Sequence, residues 1–219
     1  MKTSMSRRRF LAASAVAAVV GPKLYEGTSA QAAEFKTKLP KALIGPATEA
    51  NLTAWKEAGF DGMEARTGDF SPESGKSMQQ VAERIGMRIH STLYGWASFN
   101  QSEAFDGEVE KVASALVSTG NLGATAMLLV PCRIGGMPMP EPWEFDIELN
   151  ESTGHLTKVF NGDNAPYQQY IEAHNAATDA TRKAVEKLIP VAEKAGVIIA
   201  LENVWNNLWV KPAAFKNLV

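Results

Sequence analysis

The sequence predicts an α/β fold, a parallel sheet assembled from βα units of which about five are present. Two observations predict the units: short apolar runs alternate with longer segments of helical period, and glycine closes several of those segments. A third bears on the architecture. Pattern alone leaves an open doubly wound sheet or the first five strands of a (β/α)8 barrel, a fold that typically needs about 250 residues. An open sheet that binds nucleotides usually carries a glycine-rich turn after a strand, and neither G-x-G-x-x-G nor G-x-x-x-x-G-K-[ST] occurs here. That favours an incomplete parallel (β/α)8 TIM barrel.

The first unit is Lys41-Ala42-Leu43-Ile44-Gly45 and a helix near 48–58, with Leu52, Trp55 and Ala58 on one face and Gly59 as its C-cap. Strand two is expected at 60–64, ending on Glu64. The helix after it places Met78, Val81, Ala82 and Ile85 at i, i+3, i+4 and i+7 and stops at Gly86, a core stripe rather than a ligand box. Strand three is expected at 87–93, followed by a helix near 104–120 with Phe105, Val109, Val112 and Leu116 on one side. Strand four follows at 125–130. Residues 131–165 then break the rhythm with Gly, Pro and Asn, and 144–149 and 155–160 read as a hairpin inserted after strand four. A long helix from Pro166 to Ala195, with a kink expected at Pro190, leads through Gly196 into strand five at 197–202. The last residues begin a further helix.

The 219 residues, 45% hydrophobic and 21% charged, suit one globular domain with a sizeable core. Residues 1–32 read as a leader, not as fold: Ser6-Arg7-Arg8-Arg9-Phe10-Leu11, an apolar run at 11–20, and Ala30-Gln31-Ala32 form a twin-arginine signal with a cleavage point after Ala32. About ten apolar residues are too few for a hydrocarbon core of about 30 Å, so export to the periplasm is expected rather than stable membrane insertion. Five of the 22 Lys/Arg and one of the 24 Asp/Glu fall within 1–32. The remaining 33–219 carry 17 against 23, a formal charge of −6 that argues against a nucleic-acid surface. Cys132 is the only cysteine, which excludes an intramolecular disulfide and leaves stability to packing.

In parallel βα folds, chemistry gathers at the C-terminal ends of the strands. Glu64 in strand two, His90 in strand three, Cys132 after strand four and Glu202-Asn203 at the end of strand five are therefore the residues to weigh. Carboxylates and imidazoles at such places bind divalent metals or move protons. Each has a plainer reading: Glu64 as half of an ion pair, His90 as a hydrogen-bonded core histidine, Cys132 as a small buried hydrophobe. Glu202 directly follows five apolar residues, where a charge is costly without a partner, and that points to function. His155 and His174 read as surface or packing residues. Trp96, Trp205 and Trp209 stand near strand ends, where flat aromatic faces line sugar sites or clamp the fold.

The segment Ile199-Ala200-Leu201-Glu202-Asn203-Val204-Trp205-Asn206-Asn207 resembles the xylose-isomerase-like TIM-barrel superfamily, which includes sugar epimerases, hydroxypyruvate isomerase and inosose dehydratase. Ala58-Gly59-Phe60-Asp61-Gly62-Met63-Glu64, Leu122-Gly123-Ala124-Thr125 and Ile189-Pro190-Val191-Ala192-Glu193 extend the resemblance over about 40–204 in the expected order. It implies that Glu202 is a ligand of a divalent ion, Mn²⁺ or Mg²⁺, and one of two acid/base carboxylates. It further implies an isomerase or epimerase that moves a proton beside the carbonyl of a sugar or sugar derivative. His90, Glu64, Trp96, Trp205 and Asn206 are the expected substrate contacts. The other ligands of the family come from strands six to eight, so this chain is expected to be a fragment, inactive by itself. Two further functions stand beside the isomerase: a carbohydrate-binding protein on a degenerate barrel using Trp96, Trp205 and Asn206, and a lyase or dehydratase on the same barrel. The acidic balance and the leader argue against a DNA-repair endonuclease.

Overall fold

A computed structural model describes residues 39–218, and the leader read at 1–32 lies outside the described residues. From Pro40 onward the chain is one compact unit. In chain order the elements are β1 (Ala42–Gly45), α1 (Glu49–Glu57), β2 (Gly62–Arg66), α2 (Pro72–Ile85), β3 (Arg88–Trp96), α3 (Phe105–Asn121), β4 (Ala126–Val130), β5 (Phe145–Leu149), β6 (Leu156–Phe160), α4 (Gln168–Ala195), β7 (Ile198–Leu201) and α5 (Pro212–Lys216). Five strands form one sheet in the order β1-β2-β3-β4-β7, every pair parallel, while β5 and β6 pair antiparallel as a separate hairpin. Apart from that insertion, sequence neighbours are sheet neighbours throughout. A doubly wound sheet reverses its strand order at a switch point, and a TIM barrel does not, so the order observed is that of a barrel wall. The wall does not close among the described residues, and β1 and β7 are its edges.

Local chemistry explains the elements. Ser71 accepts a hydrogen bond from the Ser74 amide at 3.2 Å, the Ser74 hydroxyl accepts one from the Ser71 amide at 2.9 Å, and Pro72 opens α2, which stops at Gly86 in the left-handed conformation, φ 75°. Helix α4 runs unbroken through Pro190 for 28 residues and ends at Gly196, φ 68°. Met63, Ala65, Met127 and Leu129 are fully buried on the helix side of the sheet. There they join two apolar clusters, one with Leu52, Ala82 and Ile89, the other with Leu116, Leu188 and Val197. A third cluster ties the hairpin to the start of α4 and to the end of the chain through Val159, Tyr170, Leu208 and Trp209.

The opposite face is the one a closed barrel would turn inward. Register places Ile44, Glu64, Ser91, Ala126 and Ile198 side by side across it. Its two edge residues, Ile44 and Ile198, are 61% and 69% exposed.

Most strand boundaries shift from the sequence reading by a residue or two, and two strands run on past their expected C-terminal ends. β2 continues past Glu64 to Arg66, and β3 continues to Trp96. The first continues because β2 goes on pairing with β3 to Arg66 opposite Leu93, beyond a bulge that skips His90, so that Met63 faces Ile89 and Glu64 faces Ser91.

Candidate functional site at the strand ends

The C-terminal ends of adjacent strands β3, β4 and β7 form one rim. Trp96 is in register with Val130, and Glu202, one step past β7, keeps its amide on the ladder by donating to the Leu129 carbonyl at 3.0 Å. Ile199 and Leu201 pack toward the helices. Strand alternation therefore puts Ile198, Ala200 and Glu202 on the inward face. The Glu202 side chain is half-buried and has no hydrogen-bond or ion-pair partner among the described residues. Water reaches it, which removes the desolvation cost that the sequence raised and leaves the carboxylate available to a ligand.

The loop after Glu202 is held tightly. The Ile134 amide donates to the Asn206 carbonyl at 3.1 Å, the Asn207 side-chain amide donates to the Ile134 carbonyl at 2.7 Å, and the Tyr170 hydroxyl donates to the Asn207 carbonyl at 2.8 Å. The Asn203 side chain donates to the Trp209 carbonyl at 3.0 Å. These bonds hold three non-glycine residues in the left-handed region: Trp205, Asn207 and Trp209, at φ 44°, 58° and 47°. Trp205 projects from the loop, 84% exposed. Trp209 is buried, with its indole N–H given to the Thr178 hydroxyl at 3.1 Å and its amide to His174 Nε2 at 3.1 Å, a clamp for the fold. Asn206 is 2% exposed, its side-chain oxygen accepts the Leu208 amide at 3.3 Å, and its Nδ2 has no protein partner. Residues 139–142 and Phe145, from the insertion, wall a cavity of about 360 Å³ against Asn207 and Val210.

Glu64 and His90 meet each other but not Glu202. The Ser91 hydroxyl donates to Glu64 Oε2 at 2.6 Å and lies 2.8 Å from His90 Nδ1. With its proton given to Glu64, Ser91 accepts from an Nδ1–H tautomer of His90. Register equates this level with Ile198, four residues before Glu202, a separation of about 13 Å along the strands. Ser91 was not singled out in the sequence, because the bulge that brings it opposite Glu64 has no local signature. Cys132 is fully buried, 3.7 Å from the Thr181 hydroxyl, and burial pushes its thiol up to about 11. His155 pairs with Asp179 at 2.7 Å, and His174 is in the core.

One residue on the rim escaped sequence reading altogether. Arg133 follows β4 between buried Cys132 and Ile134, its carbonyl accepts from the Asn100 side chain at 2.9 Å, and its guanidinium lies 6.0 Å from the centre of the Trp96 ring. An isolated arginine in a glycine- and proline-rich stretch gave no periodic signal.

A metal fits these residues poorly. Among the described residues no three His, Cys, Asp or Glu side chains come together as a metal-holding group. Glu202 would be a single oxygen ligand where a divalent ion of this kind takes about six.

The sequence signature of the xylose isomerase-like TIM barrel matches residues 52–218. No curated protein sequence matches the chain. Among solved structures, 3-keto-D-glucoside 4-epimerase from E. coli is similar with TM-score 0.53 and 12% identity, over 76% of this chain and 57% of that one. D-Psicose 3-epimerase from Clostridium cellulolyticum H10, solved with D-tagatose, gives 0.55 and 12%, over 82% and 60%. A D-tagatose 3-epimerase-like protein gives 0.55 and 14%, over 83% and 60%. At such identities the likeness is one of fold. The chain spans somewhat under two thirds of the length of each of these structures.

Proposed function

Because the chain belongs to the xylose isomerase-like TIM barrel family, we propose that the protein is an isomerase or epimerase of a sugar or sugar derivative and that Glu202 is one of its acid/base carboxylates. The observation that carries this is the position of Glu202: directly at the C-terminal end of a barrel-wall strand, on the inward face, reachable by solvent and without a protein partner among the described residues. A carboxylate so placed takes a proton from the carbon beside a carbonyl; in an isomerase the proton goes to the neighbouring carbon, and in an epimerase a second acid delivers one to the opposite face of the same carbon. Trp96 and Trp205, both exposed, offer flat faces to the pyranose or open-chain substrate.

A divalent Mn²⁺ or Mg²⁺ would take Glu202 as one ligand and polarise the substrate carbonyl. The described residues do not supply the remaining ligands, and we expect the 219-residue chain by itself to be inactive. The twin-arginine leader would send the protein to the periplasm. No helix among the described residues is long and apolar enough to cross a membrane.

The test uses protein made from the complete gene, in deuterium oxide, across a panel of ketoses and keto-sugars. Deuterium should enter the position beside the carbonyl, and Glu202→Gln should slow entry by about 10²-fold or more. Absence of exchange over the whole panel would remove the isomerase reading. The 84% exposure of Trp205 would then favour the second reading, a carbohydrate-binding protein without turnover.

A further inference from the structure

Arg133 carries charge and hydrogen-bonding capacity that the fold does not use. A guanidinium has five N–H donors, and none of the five is given to a protein acceptor among the described residues. No carboxylate, Glu202 included, stands within ion-pair distance of it there. The guanidinium stands over the Trp96 ring, 6.0 Å from its centre, and a cation–π contact of this kind uses none of the N–H donors. Among the other described arginines, Arg84 donates to Glu49 at 2.7 Å and Arg182 to the Thr153 and Asn217 carbonyls, while Arg88, exposed at the start of β3 and so at the opposite end of the sheet, has no protein acceptor.

The backbone under Arg133 is fixed by design of the fold. Cys132 and Ile134, 0% and 6% exposed, anchor it on either side, and Asn100 and Asn207 bond its flanking carbonyls. A cation on a rigid support costs little further entropy to use. It follows β4, the strand between β3 and β7, at the same C-terminal end of the sheet as Glu202. β2 contributes another: Arg66 ends that strand on the face of Glu64, exposed and likewise without a protein acceptor. Arg133 and Arg66 thus put two arginines with unused donors at the C-terminal ends of the strands, the end at which Glu202 lies, in a chain whose formal net charge is −2.

We propose that the substrate is an anionic sugar, one bearing a carboxylate or a phosphate, and that Arg133, resting on Trp96, binds its charged group while the carbonyl end faces Glu202. The proposal rests on the reading of this rim as a sugar site and adds the class of sugar. Planar guanidinium and planar carboxylate match two bonds at a time, and a phosphate offers the same pair of oxygens.

Calorimetric titration of the full chain with D-glucuronate, D-glucose 6-phosphate and D-glucose tests it. Expected is binding of at least one anionic sugar about tenfold or more tighter than D-glucose, weakening as salt is raised. The tighter of the two anions identifies carboxylate or phosphate as the group recognised. Arg133→Gln should abolish the preference, and Arg133→Lys, which keeps charge but not the fork, should retain part of it. Arg133 is exposed, so thermal midpoints of both variants should match the parent, and circular dichroism checks this before titration. Equal affinity for charged and neutral sugars, no binding of either anion, or a preference that survives Arg133→Gln overturns the proposal. Solvent exchange on ketoses is scored separately: exchange without anion preference leaves the isomerase reading and removes this one, and anion preference without exchange does the reverse.

Discussion

Lowering the pH from 7 to 5 should destabilise this fold through one buried ring, His174. It stands on α4, 1% exposed, between the rings of Tyr170 and Trp209 at centroid distances of 6.0 and 6.1 Å. Its Nε2 accepts the Trp209 amide, so the neutral ring is the one that fits: a proton on Nε2 would face another N–H. Burial pulls its pKa down to about 4 from an ordinary value of about 6.5. The folded value lies below the unfolded one, so the unfolded chain takes up the proton first. The contribution of neutral His174 is therefore complete above about pH 6.5, is lost as pH falls toward 4, and levels off below. The full effect is about 3 kcal/mol, of which about 2 kcal/mol falls between pH 7 and 5. Urea unfolding at several pH values measures it, with His174→Gln as reference, because glutamine can accept the Trp209 amide and does not titrate. The parent should lose about 2 kcal/mol more than the variant over that interval. Equal pH slopes, or an NMR titration of His174 with a midpoint near 6.5, would refute the reasoning.

Two other substitutions probe packing and the inward-facing cluster. At Gly120 in α3 a Cβ would stand 2.5 Å from the Ala195 carbonyl oxygen at the end of α4, so Gly120→Ala should lower stability by about 1–3 kcal/mol despite alanine's better helix propensity, read as a lower thermal midpoint. Ser91→Ala removes the hydroxyl shared by Glu64 and His90 and should cost about 1–3 kcal/mol in urea unfolding, while Ser91→Thr, which keeps the hydroxyl, should cost less.

Secondary structure was legible because burial enforces periodicity. The α2 stripe of Met78, Val81, Ala82 and Ile85 and the glycine caps at Gly86 and Gly196 are local signals, and the structure uses each of them. The hairpin at 145–160 was also legible, from two short segments able to pair across the polar turn at 150–154. The choice of barrel wall over doubly wound sheet rested on a missing glycine motif and on the resemblance around Glu202. Strand order then decided it, since a switch point leaves no mark in local sequence.

The residues at the strand ends could be picked out one by one in the sequence, but not their arrangement. Glu202 could be singled out because a carboxylate closing an apolar strand is conspicuous. That Glu64 and His90 lie about 13 Å from it along the strands could not, because depth in a sheet is set by register, and a single bulge at His90 resets it. Trp205, Asn206 and Trp209 look alike in sequence. One is exposed and two are buried because five hydrogen bonds fold their loop back onto α4 and Ile134. By itself the sequence determined the parallel α/β class, the helix faces and the carboxylate at the end of β7, all of which follow from spacing along the chain. Only the tertiary structure decided which side chains share a rim, which of the tryptophans are core, and that Arg133 stands on Trp96 with its donors unused. Those are facts of distance between segments far apart in sequence, and periodicity does not carry them.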